Sequence, residues 1–284
     1  MQERVLELLF WQALAASKNF GVQNIMITGG EPLLHPRLSE MLFISKSCGL
    51  TVKLASNATF LGNDFFETSF YMIDEIVISF DATTARVYEQ IRGVDLFKVL
   101  QNNVSLLLNK KKPEQLLKLS FLLQRKNYHQ LNDFIDIALN LGVNTVTILV
   151  PNAFGDFQRK QDLQQYYKTV FLSNKDKECF LNKIFPKFEQ QFVAHTKLFA
   201  FGNSHMHAIR SYMLNDGYLD IQRQRICSLP LNSLFICHDG SYKLCPYFSA
   251  LYKEFDRGLI SRERLKLIFN KPEPCCNCLE VPII

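Results

Sequence analysis

Between residues 23 and 150, five short apolar, β-branched runs alternate with turns and segments of helical period. The runs are residues 23–28, Thr51–Ser56, Glu75–Phe80, Leu117–Leu123 and Asn144–Val150. Between them, Pro36–Ser47, Phe65–Met72, Tyr88–Arg92 with Leu96–Leu108, and Leu131–Leu141 read as helices, the last ended by Gly142. Strand, loop and helix in that rhythm mean parallel strands joined by right-handed crossovers, in an open sheet or a barrel. The rhythm starts out of phase. Residues 2–18, with Val5, Leu6, Leu8, Leu9, Ala13 and Leu14 apolar, read as a helix with no strand before it. A first strand is therefore expected to be missing, leaving the run at 23–28 on an exposed edge.

The first strand that is present runs into Thr28-Gly29-Gly30-Glu31-Pro32. Two glycines free the backbone to reach positive φ and to let a ligand come close. Glu31 offers an acceptor for an amine or hydroxyl, and Pro32 stiffens the exit. In α/β folds ligands gather at the C-terminal ends of strands, where this loop falls. A plain strand-to-helix turn would read the same way.

Residues 151–222 break the rhythm. Gln158–Tyr167 and Met206–Leu214 suit helices, and Phe185–Phe201 is rich in Phe with Lys and Gln. The segment reads as a connection or a cover for substrate. His205 and His207 flank Met206 and point apart on a helix, so both read as ordinary histidines. Beyond residue 223 the character changes again. Leu234–Cys237, an Asp239-Gly240 turn and Ser241–Cys245 form a hairpin. Of the eight cysteines, Cys227, Cys245, Cys275 and Cys278 gather in this tail, the last two as Cys-x-x-Cys. Four thiolates closing one site suit either a 4Fe–4S cluster or a structural zinc. Cys237 and Cys276 fit that geometry less well, and Cys48 and Cys179 stand alone.

With 48% hydrophobic residues the chain can bury a core, and its net charge of +5 is not concentrated into a nucleic-acid footprint. No apolar stretch is long enough to span a bilayer, and no secretory leader is evident. A reducing, cytoplasmic setting is the expectation, in which clustered thiols point to metal.

Taken in order, these motifs resemble the radical S-adenosylmethionine (SAM) superfamily, in its branch with a SPASM or twitch C-terminal domain. Thr28–Pro36 resembles the family's GGEP loop, which holds the SAM amino group. Ser56-Asn57-Ala58-Thr59 resembles its Thr-Asn-Gly turn, with Ala58 in place of the usual glycine, and Ser79-Phe80-Asp81 with Ile91-Arg92-Gly93 its Ser-Leu-Asp…Arg-Gly stretch. The resemblance implies a partial (β/α)6 TIM-like barrel missing its first strand over residues 1–150. A connecting segment over 151–222 and a small cysteine-rich module over 223–284 would follow. It further implies SAM bound by Gly29, Gly30, Glu31, Pro32, Ser56, Asn57, Ser79 and Asp81, and an auxiliary 4Fe–4S cluster on Cys227, Cys245, Cys275 and Cys278. The substrate would be a peptide, a protein side chain or a small alcohol, with an electron-donor protein as partner and neither nucleic acid nor membrane. The family's Cys-x3-Cys-x2-Cys loop belongs upstream of the glycine pair, and the sequence contains no such triplet. The expectation is thus an N-terminally incomplete chain, or a descendant that binds SAM or a partner without cleaving SAM. The cluster that cleaves SAM is expected only if an upstream segment carries it. A zinc-stabilised α/β binding protein is the remaining alternative.

Overall fold

The computed structural model describes residues 22–151, 160–214, 235–236 and 242–243. The helix expected over 2–18 lies outside the described residues, and so do all four tail cysteines.

All five expected strands form: β1 (Asn24–Ile27), β2 (Thr51–Ser56), β3 (Glu75–Ser79), β4 (Leu116–Leu122) and β5 (Thr145–Leu149). They stand in sequence order, each parallel to the next. Strand order never reverses, as in the wall of a barrel and unlike a doubly wound sheet with a switch point.

Alternation along the strands separates two faces. Val52, Leu54, Ile76, Ile78, Leu117, Leu119, Phe121, Val146 and Ile148 are buried under the helices. These helices are α1 (Leu38–Ser47), α2 (Asn63–Thr68), α3 (Ala85–Arg92), α4 (Phe97–Lys110) and α5 (Leu131–Leu141). The other face is more polar. On it Glu75 receives Lys53 at 3.4 Å from β2 and Lys118 at 3.1 Å from β4. A lone carboxylate there would suffer desolvation, and the two ammonium groups offset it.

Local chemistry ends the helices where the sequence says it should. Gly93 and Gly142 close α3 and α5 in the left-handed conformation that a Cβ disfavours. Thr84 caps the start of α3, accepting from the Val87 amide.

The described residues 160–214 belong to the same core. Helix α6 (Lys160–Val170) and helix α9 (Asn203–Leu214) fall close to the two helices expected there. Between them, α7 (Asn174–Cys179) and α8 (Phe185–Ala194) run on as one helix through a π-helical turn at Phe180–Ile184. Pro186 accounts for that turn: it lacks an N–H and crowds the carbonyl one turn back, so the hydrogen-bond ladder slips there. Phe180, Phe185, Phe188, Phe192 and Phe199 are buried in the cluster that includes the sheet's helix-side face. Phe199 bridges Val146 in parallel, and the Ala200 amide donates to the Val146 carbonyl at 3.0 Å, so the chain returns along the free side of β5.

In the tail, β6 (Phe235–Ile236) pairs antiparallel with β7 (Tyr242–Lys243), Phe235 opposite Lys243 and Ile236 opposite Tyr242, a register one residue off that of the expected two-residue Asp239-Gly240 turn.

Candidate functional site

At the C-terminal end of β1 the chain turns through Gly29, whose φ is +136°, a value that L side chains rarely adopt. Gly29 and Gly30 are exposed, and nothing lies within 4 Å of where a Cβ would stand on either. Pro32 then opens a single helical turn, Pro32–Leu34, whose cap is Glu31. The Glu31 carboxylate does more than cap. Its Oε1 accepts from the Leu33 amide at 3.1 Å and from the Ser56 hydroxyl at 2.7 Å, and its Oε2 accepts from the Asn57 amide at 2.8 Å. The β1 and β2 loops are thereby tied together.

The β2 loop is itself tightly wound. The Ala58 amide donates to Ser56 Oγ at 2.8 Å, and Asn57 Oδ1 accepts from the Thr59 amide and hydroxyl. Ala58 adopts φ +55°, the one positive value for a non-glycine among the described residues, where the resemblance expects glycine. Its carbonyl accepts from Asn103 Nδ2 on α4 at 2.7 Å.

At the ends of β3 and β4 the arrangement is different. Ser79 stands opposite Ser120 on the polar face. Asp81, two residues on, is buried. Its Oδ1 accepts from the Leu122 amide at 2.8 Å, and its Oδ2 meets the Arg92 guanidinium at 2.5 Å. The two halves of the Ser-Phe-Asp…Arg-Gly pattern, far apart in sequence, are one ion pair. Burial pushes the Asp81 carboxyl up, while the Arg92 charge and the Leu122 amide pull it down. Asn127, fully buried, donates to the Asp81 and Leu122 carbonyls at 2.8 Å each and accepts from the Gln124 amide. Gln130 accepts from the Thr83 amide and donates to Thr84 Oγ1.

Of the expected site residues, Gly29, Gly30, Glu31, Pro32, Ser56 and Asn57 come together on two adjoining loops, and Ser79 and Asp81 lie at the end of β3, the next strand. The sequence reading missed Asn103, Asn127 and Gln130, which hold these loops. It also missed Lys53, Glu75 and Lys118. A charged residue inside each of three strand runs was the available signal for these last three. Cys227, Cys245, Cys275 and Cys278 lie outside the described residues. Among the described residues, no group of three or more His, Cys, Asp or Glu side chains could hold a metal.

No protein-family model matches the chain. Over 155 residues it is 29% identical to a probable GTP 3′,8-cyclase of Saccharolobus islandicus (strain M.14.25 / Kamchatka #1), covering 52% of this chain and 49% of that protein. A probable GTP 3′,8-cyclase of Sulfurisphaera tokodaii is 27% identical over 132 residues, covering 46% of this chain and 41% of that one. The chain thus spans about half the length of the curated relatives it matches. The fold is shared with Streptococcus suis SuiB at a TM-score of 0.66 and 12% identity, over 93% of this chain and 59% of SuiB. It is shared with anSMEcpe at a TM-score of 0.65 and 14% identity, over 94% of this chain and 71% of that one. These likenesses agree with the resemblance to the radical SAM superfamily carried by the motifs. SuiB has been solved with S-adenosylmethionine and with its precursor peptide SuiA, and anSMEcpe with S-adenosylmethionine.

For SAM, the group that the resemblance implies, the two-glycine loop leaves room. The space beside Gly29 and Gly30 is open, a side chain at either position would stand in it, and the flanking carboxylate is fixed rather than free to swing. No comparable fit exists for the SAM-cleaving cluster among the described residues, because no thiolate group is assembled there.

Proposed function

We propose that this chain binds SAM across the ends of β1, β2 and β3, and that it is the core of a radical SAM enzyme with a SPASM- or twitch-type tail. The observation that carries the reading is the open glycine loop locked by Glu31 to the Ser56-Asn57 turn. Gly29, Gly30 and Pro32 would shape the wall against which the methionyl end lies, and Glu31, Ser56 and Asn57 would hold that wall in register. Ser79 would add a hydroxyl at the end of β3. Asp81 would act from behind, fixing the strand end from which Ser79 projects. When bound with a reduced iron–sulfur cluster, SAM supplies a radical that abstracts a substrate hydrogen, and the protein's part is orientation and exclusion of water.

Cys227, Cys245, Cys275 and Cys278 are assigned to an auxiliary 4Fe–4S cluster, in a module over residues 223–284. A peptide or a protein side chain is the preferred substrate, supported by the fold shared with SuiB, which binds a precursor peptide. An electron-donor protein is the expected partner. A nucleotide substrate is the second reading. It is favoured by the curated relatives' name and by Lys53 and Lys118, which share the single carboxylate of Glu75 on the polar sheet face.

Two measurements test this. Calorimetry with SAM should show saturable binding that Gly29→Val abolishes; equal binding by that variant would exclude the loop. Metal analysis after anaerobic purification should find iron with acid-labile sulfide, lost in Cys275→Ser and Cys278→Ser. Zinc without sulfide would replace the cluster by a structural metal site.

A further inference from the structure

A glutamate beside a glycine loop invites one role, that of counter-ion to the ligand's ammonium group. The bonds around Glu31 argue for another. A carboxylate has about four acceptor positions, and here three are taken by protein donors. Two of these donors are backbone amides, which cannot turn away. The third, Ser56 Oγ, is buried and itself accepts from the Ala58 amide at 2.8 Å. Ala58 in turn is pulled outward by Asn103 through the 2.7 Å bond to its carbonyl. The result is a continuous line of hydrogen bonds: Asn103 to Ala58, Ala58 to Ser56, Ser56 to Glu31, Leu33 to Glu31. It runs from helix α4 outside the sheet to the glycine loop inside the site. Two of its links join different elements, Asn103 to the β2 loop and Ser56 to the β1 loop, so the line fixes the separation of the β1 and β2 loops.

We propose that Glu31, Ser56 and Asn103 form a brace that sets the separation of the β1 and β2 loops beside the glycine pair, with Glu31 acting as a positioning residue rather than as the ligand's counter-ion. The proposal rests on the SAM reading of this loop. Within that reading, the charge on Glu31 serves the two loops, and the ligand's amino group meets backbone.

A pair of ligands separates the two roles: SAM, and the analogue of SAM lacking its α-amino group. A brace predicts that Glu31→Gln weakens both ligands by the same factor, about tenfold, because the Gln amide presents a donor to the Asn57 N–H. Ser56→Ala, which leaves the Glu31 charge in place, should weaken both alike, and Ser56→Thr should restore both. Asn103→Ala should lower both affinities equally and by less. A counter-ion predicts the reverse. Glu31→Gln would then cost SAM affinity and spare the analogue, with Ser56→Ala close to wild type, and that pattern overturns the proposal. Amide hydrogen exchange reads the brace without ligand. The Asn57 N–H should exchange faster in Glu31→Gln and keep its wild-type protection in Ser56→Thr. If the wild-type chain binds neither ligand, the SAM reading fails while the exchange data still decide the brace. Unchanged exchange in Glu31→Gln overturns it.

Discussion

The ends of β1 and β2 and the ends of β3 and β4 carry similar residues to opposite purposes. Both pairs are joined by a carboxylate that accepts a hydrogen bond from a backbone amide at the end of the neighbouring strand: Glu31 from Asn57, Asp81 from Leu122. Glu31 is only half-buried and lies beside two glycines with open space above them. Asp81 is buried, and its second oxygen meets a guanidinium. The first pair of strand ends leaves room for a ligand, and the second is closed by Asn127 and Gln130. A carboxylate at a strand end is therefore no sign of a binding site by itself. What distinguishes the two is what surrounds it.

The comparison breaks most easily on stability. Asp81→Ala strands the Leu122 amide and leaves Arg92 without its partner. Removing one member of a buried charged pair costs about 3–5 kcal/mol, and with Arg92 partly exposed the lower end is expected. Glu31→Gln keeps two of three bonds and should cost about 1 kcal/mol. Urea unfolding of the two variants measures the gap. Equal losses would mean that both ends are scaffold and would remove the reason to place a ligand at one of them.

Asn127→Ala comes next. The side chain is fully buried and makes three hydrogen bonds to backbone, so the truncation leaves three groups unpaired. A loss of about 2–3 kcal/mol is expected by the same unfolding measurement. A loss under about 0.5 kcal/mol would show that the β3–β4 end is looser than its hydrogen bonds imply.

How much of this could be read from the sequence follows the same division. The parallel strands are legible because each buries its helix-side face against a helix, which forces an apolar run between turn residues. The Gly29-Gly30-Glu31-Pro32 loop is legible because its residues are consecutive. The partners of Glu31 and Asp81 are not. Ser56 and Leu122 reach them only through the sheet register, which pairs Ile27 with Leu54 and Ser79 with Ser120. Asn103 and Asn127 sit in stretches whose composition gives no hint of a polar contact at one end. Phe185–Phe201 was illegible for another reason. Phe recurs there both in helices and in the stretch beside β5, so hydrophobic period alone could not separate them.

His205 extends the comparison to β5. Its Nε2 lies 2.7 Å from the Ile148 carbonyl, its ring packs 4.3 Å from Phe201, and its Nδ1 is buried without a hydrogen-bond partner. Burial holds the imidazole below its ordinary value of 6.5. Above pH 6.5 both folded and unfolded states are neutral at this residue, and it adds no pH dependence. As pH falls below 6.5 the unfolded chain takes up a proton that the folded chain refuses. Stability then drops by at most ~1.4 kcal/mol per pH unit until the folded-state value is reached. His205→Gln, whose amide can donate to Ile148, should flatten this part of the curve. An identical slope in that variant would place the acid sensitivity elsewhere and leave β5 outside the closed half.

The smallest effect concerns Ala58. A left-handed φ on a residue with a Cβ costs about 1–2 kcal/mol, so Ala58→Gly removes strain. The same change frees the unfolded backbone, worth about 0.5–1 kcal/mol against folding, and deletes a fully buried methyl worth about 0.8 kcal/mol. These terms nearly cancel, so the variant should lie within about 1 kcal/mol of wild type on urea unfolding. Near-neutrality would mean that the Asn103 bond and the Ser56 hydroxyl, rather than the residue at 58, hold the turn. A gain above about 1 kcal/mol would show that the turn stores strain on the ligand side of the molecule. A comparable loss would show that the methyl is packed as tightly as the closed side, and the contrast between the two pairs of strand ends would narrow to the glycines alone.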